Sequence, residues 1–252
     1  MNKQASQRRI WHAVAVSTDD VDQILPGPDS TDYQNYLRTS ELLSLQKPAE
    51  ERAHRDELLF EVTHQASELW LKLAVEDLRE ARTLLESGAT AAAVRMLNRL
   101  RLAISLCEEN LDMLELMTPW EYQKVRTALG HGSGFDSPGF NALRSDLPTL
   151  FAPFERLLTE RGLTLTDMYR DHADNEDLFA LAEALMDVDE ALLDWRARHV
   201  RVIERSIGFD VSGTQGTPVE VVANLRDRKT FPALWEARTL LSRMAEQELD
   251  FK

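Results

Sequence analysis

DELLFEVTHQASELWLK, running from Asp56 to Lys72, reads as an amphipathic helix with one residue out of place. Leu58, Leu59, Val62, Ala66, Leu69, Trp70 and Leu73 supply the apolar stripe expected of a buried face. His64 stands where such a helix ordinarily keeps an apolar or inert residue, with Phe60 one turn earlier and Glu68 one turn later. Two faces are therefore occupied. One suits a core, and the other pairs an aromatic ring with an imidazole, as the wall of a pocket would.

Outward from this stretch the apolar residues recur at helical rather than strand period, and glycine and proline fall mostly between periodic segments. The pattern predicts a nearly all-helical chain. A short helix over Ser40–Gln46 is stopped by Pro48, and a long helix follows from about Glu50 to Leu85 with Gly88 as its C-cap. Thr90 is placed to cap the next helix, whose stripe is Met96, Leu100, Ala103, Cys107, Leu111 and Leu114. Thr118-Pro119-Trp120-Glu121 is a capping box with proline at the first helical position, which predicts a helix over Pro119–Leu129 ending at Gly130. Asn175 is the expected cap of the last long helix, where Leu181, Leu185, Val188, Leu192, Trp195, His199 and Val202 form the seam of a bundle. Gly208 ends it, and Pro232 opens a final helix through Leu241. Two stretches read as irregular loops: Gly130–Gly139, with four glycines among ten residues, and Ser212–Pro218.

The bulk properties narrow the partners. A formal net charge of −14 repels nucleic acid and anionic membranes, so neither is expected. A single cysteine, Cys107, permits no internal disulfide, and with no apolar run of about 18 residues the expectation is a protein of the reducing cytoplasm. At 252 residues the chain suits an N-terminal arm over 1–30 and one helical domain over 31–252.

His64 and His199 both sit on faces that are otherwise buried. A haem between bundle helices needs an inward imidazole, but a hydrogen-bonded core histidine fits the same positions. Tyr122 and Arg126, one turn apart, can present a phenol and a guanidinium fork to a carboxylate, or simply pack stem against ring at the surface. Thr214 adds a hydroxyl in a turn-forming loop. Glu51-x-x-His54 and Glu61-x-x-His64 spell the paired motif of di-iron bundles, but ten positions along one helix separate them by about 15 Å, too far for one site. HExxH, paired CxxC, P-loop and dinucleotide-binding glycine motifs are absent.

Taken in order, the segments resemble the tryptophan 2,3-dioxygenases. Tyr33-Gln-Asn-Tyr36-Leu37 followed by Glu41-Leu-Leu-Ser-Leu-Gln46 is similar to the family's N-terminal signature, and DELLFEVTHQASELWLK to its most recognisable helix. Thr118–Arg126, Ser133–Ser137, Trp195-Arg-Ala-Arg-His199, Gly213-Thr-Gln-Gly216 and Phe231–Thr239 follow in family order. The resemblance implies an all-α bundle enclosing a b-type haem, with an N-terminal arm. It implies that His199 is the axial ligand to the haem iron and His64 the distal histidine facing the indole N–H. Phe60 would pack on the indole, and Arg126 would clamp the amino-acid carboxylate beside Tyr122. Thr214 would meet the polar end of the substrate, and Ser133 and Gly134 would line the haem edge. It further implies a homotetramer in which Tyr33, Tyr36 and Leu37 serve a neighbour's pocket. The expected reaction is insertion of O2 across the indole C2–C3 bond of L-tryptophan to give N-formylkynurenine.

Several positions depart from the family pattern: Asp136, His131-Gly132, Gln215, Thr217-Pro218, and a shortened interval from Arg144 to Leu181. They keep open an oxygenase acting on a substituted tryptophan or another indole, by transfer of one oxygen atom, and a non-catalytic helical binder of haem or indole.

Overall fold

The computed structural model describes residues 31–214 and 216–248. They divide into two compact units, 31–51 and 52–248. The first holds α1 (Asp32–Leu37) and α2 (Thr39–Leu43). Thr31 and Gln34 cap α1 reciprocally, and Arg38 joins the helices with φ 54°, a left-handed turn that ends α2's predecessor. The expected helix over Ser40–Gln46 is thus shorter and begins one residue earlier.

The second unit is built on α3 (Glu57–Glu86), α4 (Thr90–Leu114) and α9 (Glu176–Ile207), packed α3 on α4 and α4 on α9. Around them lie α5 (Pro119–Leu129), α6 (Pro138–Asp146), α7 (Phe151–Glu160), α8 (Leu165–Arg170), α10 (Val219–Ala223) and α11 (Pro232–Glu248). Among the described residues there is no strand, only an isolated bridge between Ser212 and Pro218. None of the described helices is long and apolar enough to cross a membrane.

The core runs down the three long helices through Leu71, Leu78, Leu85, Leu97, Ile104 and Leu185, all with no exposed surface. Removing each such side chain from water contributes about 1.5–3 kcal/mol. This relocates the buried stripe of α3. Val62, Leu69, Trp70 and Leu73 are exposed, whereas Leu71, Ala74, Val75 and Leu78 are buried. The reason is that α3 has apolar residues on more than one side, and α4 and α6 cover the side that carries Leu71 and Leu78.

Helix starts differ where side chains compete for backbone groups. The predicted start at Glu50 is broken into a 3-10 turn over Ala49–Glu51 and irregular chain before Glu57, because the Glu57 carboxylate accepts the Ala53 N–H at 2.8 Å and His54 Nδ1 the Asp56 N–H at 3.3 Å. Thr90 does not cap α4: it is the first helical residue, and its hydroxyl donates to Asp177 Oδ2. Asn175 occupies the cap position of α9, but its amide donates to the Asp171 carbonyl instead of capping. The box Thr118–Glu121 and the termini of α5 at Pro119 and Gly130 are as expected. Gly88, at φ 77°, ends α3 as expected, in a conformation that costs other residues about 1 kcal/mol.

The stretch Gly130–Gly139 is more regular than its composition suggests. Ser133 and Asp136 cap a 3-10 turn over Gly134–Asp136, and Ser137 then caps α6 by accepting the Phe140 N–H.

Candidate functional site

Leu192, Trp195, Arg196, His199, Val202, Ile203 and Ser206 recur three and four apart on α9, so one face of that helix lines a single cavity of about 520 Å³. His199 lies in the middle of this face. Trp195 orients it: the two rings stack with centroids 4.8 Å apart and planes 16° apart, and Phe140 from α6 packs on Trp195 with ring centroids 3.9 Å apart. Among the described residues neither nitrogen of the His199 ring meets a hydrogen-bond partner. Desolvation, with a smaller contribution from His64, lowers its pKa to about 4. At neutral pH it is therefore a neutral imidazole with a lone pair available to a metal.

A second stretch of the lining comes from α3. His64 and Phe60 both line the cavity, their ring centroids 4.0 Å apart. His64 Nδ1 lies 2.7 Å from the Phe60 carbonyl oxygen. A carbonyl can only accept, so Nδ1 carries the proton and the Nε2 lone pair is left for another donor. The ring is accessible because the cavity is open, yet the surrounding protein still lowers its pKa; the Phe60 carbonyl and Glu68 oppose that shift. Tyr122, from α5, stands 6.3 Å from Phe60, and burial raises its phenol pKa, so it is a neutral donor.

Two loops close one end. Thr214 donates to the Gly132 carbonyl, the Gly213 N–H donates to the Thr217 carbonyl at 2.8 Å, and Ser133 and Gly134 line the cavity beside them. Arg126, from α5, meets the second of these loops. Its Nη2 donates to the Ser212 carbonyl at 2.6 Å, so the guanidinium braces the loop next to the cavity rather than lining it. Asp136 accepts the Ser133 N–H at 3.0 Å, which gives that departure from the family pattern a role in the turn. His131 is exposed, Thr217 lines the cavity, and Gln215 lies outside the described residues. Tyr33, Tyr36 and Leu37 belong to the other compact unit, where they are 68%, 87% and 45% exposed.

α6 is set against α3 by a contact the sequence does not announce. Glu68 accepts the Ser137 hydroxyl at 2.5 Å and the Gly139 N–H at 3.1 Å. Gly139 packs so closely that an added Cβ would overlap the Leu71 Cβ and lie 2.9 Å from Glu68 Oε2. Glu68, Gly139, Phe140 and Trp195 thereby link the His64 helix to the His199 ring.

The cavity fits the haem expected from the sequence. Its volume lies in the usual range of about 300–1,000 Å³ for ligand sites, its walls are mostly apolar, and two of its lining residues are imidazoles with at least one nitrogen available.

The comparisons agree. The family model described as tryptophan 2,3-dioxygenase matches residues 25–152 and 148–241. The tryptophan 2,3-dioxygenase of Caulobacter vibrioides is 34% identical, over 83% of this chain and 98% of that one. That of Erythrobacter litoralis is 31% identical with the same coverage, and that of a Polaromonas species 33% over 82% and 87%. A match that runs through both histidine-bearing helices and both loops at the cavity's end leaves one conclusion: the chain belongs to the tryptophan 2,3-dioxygenase family.

Proposed function

We propose that this chain is a haem-dependent dioxygenase that inserts O2 across the indole C2–C3 bond of L-tryptophan, giving N-formylkynurenine. The observation that carries this reading is the pair His64 and His199, each with an available imidazole nitrogen, lining one cavity. Haem b, when bound, supplies the oxygen chemistry. His199 would hold its iron, and the Trp195 stack would fix the plane of the imidazole. His64, protonated at Nδ1 by its bond to the Phe60 carbonyl, would accept the indole N–H at Nε2. Phe60 would bear on the indole ring, and Tyr122 would add a phenol donor.

Recognition of the amino-acid end would fall to Arg126 and Thr214. Arg126 commits one donor to Ser212, and a guanidinium has five, so a carboxylate arriving at the loop can be met without breaking that bond. The same bond would transmit substrate binding to the Ser212–Pro218 loop. Tyr33, Tyr36 and Leu37 would complete a neighbouring subunit's pocket in a homotetramer, and a single buried thiol suits a cytoplasmic protein.

The test is turnover of the haem-loaded ferrous protein with L-tryptophan and labelled dioxygen. N-formylkynurenine carrying two labelled atoms is the expected product. A singly oxygenated indole would favour the oxygenase of substituted tryptophans or indoles, and binding without turnover the non-catalytic binder.

A further inference from the structure

Four cations line the cavity, and no carboxylate does so among the described residues: Arg144 on α6, Arg196 on α9, and Arg228 and Lys229 between α10 and α11. In a chain with a formal net charge of −14 this is an inversion of the average surface. Basic side chains usually find acids, yet among the described residues none of these four makes an ion pair. Arg144 donates to Asn141 Oδ1 at 2.8 Å, Arg196 to the Arg228 carbonyl at 2.5 Å, and the Lys229 ammonium lies 4.3 Å from the centre of the Trp235 ring. Asp189 is close to Arg196, but its oxygens already accept the N–H groups of Thr230, Phe231 and Trp235 Nε1.

The placement is specific. Arg196 precedes His199 by one turn on the lining face of α9, and Arg144 follows Phe140, which packs on Trp195, by one turn of α6. Asp189 pins the segment after Lys229 to α9. Three elements thus bring positive charge to the cavity that His199 lines, while Leu143, Leu147, Leu192 and Leu225 add apolar lining. A matching ligand is apolar in body and anionic along one edge.

We propose that Arg144, Arg196, Arg228 and Lys229 form the seat for the carboxylates of the porphyrin whose iron His199 holds, an inference that rests on the haem reading above. The loop end, with Arg126 and Thr214, is left for the amino-acid carboxylate.

The test compares the wild type with R228A/K229A, two exposed positions outside any helix, after circular dichroism has confirmed equal helix content. Each apoprotein is titrated with ferric protoporphyrin IX and with its dimethyl ester, which keeps the ring and iron but removes the negative charges. The wild type should prefer the free acid by about tenfold or more, with the preference shrinking as salt is added. The double variant, which keeps Arg144 and Arg196, should lose a large part of that preference, with the absorption spectrum of the imidazole-ligated iron unchanged. Full retention of the free-acid preference in the variant would overturn the proposal while leaving the haem reading intact. So would unchanged haem affinity coupled to loss of the spectral response to L-tryptophan, because the cations would then serve the substrate's carboxylate. Failure of the wild type to take up either porphyrin would overturn the haem reading and the proposal together.

Discussion

Replacing Asp189 by asparagine is expected to destabilise the protein by about 3 kcal/mol and to loosen the cationic end of the cavity. The carboxylate has no exposed surface, and it accepts the Thr230 N–H at 2.9 and 3.0 Å, the Phe231 N–H at 3.2 Å and Trp235 Nε1–H at 3.0 Å. Asparagine preserves the shape but offers one acceptor oxygen. If that oxygen takes the place of Oδ2, Phe231 and Trp235 keep their partner, while Thr230 keeps its 3.0 Å contact but loses the 2.9 Å one and meets the new amide N–H groups in its place. One bond to a charged acceptor is then lost, worth about 1.5–3 kcal/mol, and the remaining bonds fall to the neutral scale of about 1 kcal/mol each. Arg196 also loses a negative charge that favours its cationic form. With a urea slope of about 3 kcal/mol per molar, the unfolding midpoint should fall by about 1 M. A fall below about 0.2 M with an unchanged slope would refute the reasoning, since three buried donors would then have been satisfied without the charge.

Gly139→Ala should cost about 1–3 kcal/mol, because the new methyl overlaps Leu71 and must push α6 off α3; a thermal midpoint within about 1 °C of wild type would show that the contact yields freely. Burial pushes the Cys107 thiol from its ordinary value of 9.0 up to about 12, with the Ser67 side chain only partly opposing. Between those values the unfolded chain has lost a proton that the native chain keeps. Stability should therefore fall as pH rises from 9 to about 12, by up to about 4 kcal/mol, and Cys107→Ala should flatten that alkaline limb in denaturation curves. On the proposed function, His64→Leu removes the acceptor for the indole N–H and should lower kcat/KM for L-tryptophan by about tenfold to a hundredfold, while 1-methyl-tryptophan, which has no N–H, loses far less.

Much of this architecture is legible in the chain because local chemistry and tertiary packing point the same way. Thr118, Pro119, Glu121 and Gly130 fix both ends of the eleven-residue α5, and the seam from Leu181 to Val202 marks the buried side of α9. The pairing of His64 with Phe60 is visible at helical spacing, and so is His199 one turn after Trp195. Other features depend on partners far apart in sequence. Val62, Leu69 and Trp70 have the composition of a core face but not its neighbours, and nothing local distinguishes them from Leu71 and Leu78. α6, α7 and α8 are short, and their places are set by long-range contacts, such as Gly139 on Leu71 and Tyr169 on Glu183. Arg126 shows how spacing sets a position but not a partner: it stands one turn from Tyr122 as expected, and its guanidinium then reaches a carbonyl 86 residues away. Arg144, Arg196, Arg228 and Lys229 were equally hidden. Only folding brings three separate segments to one wall.

The account depends above all on His199 as the protein's ligand to iron, and resonance Raman spectroscopy of the ferrous haem-loaded protein addresses that bond directly. An iron–imidazole stretching band is expected in the wild type, absent in His199→Gly, restored there by added imidazole, and retained in His64→Leu. A band that survives loss of the residue 199 imidazole and vanishes in the His64 variant would contradict the assignment of the two faces.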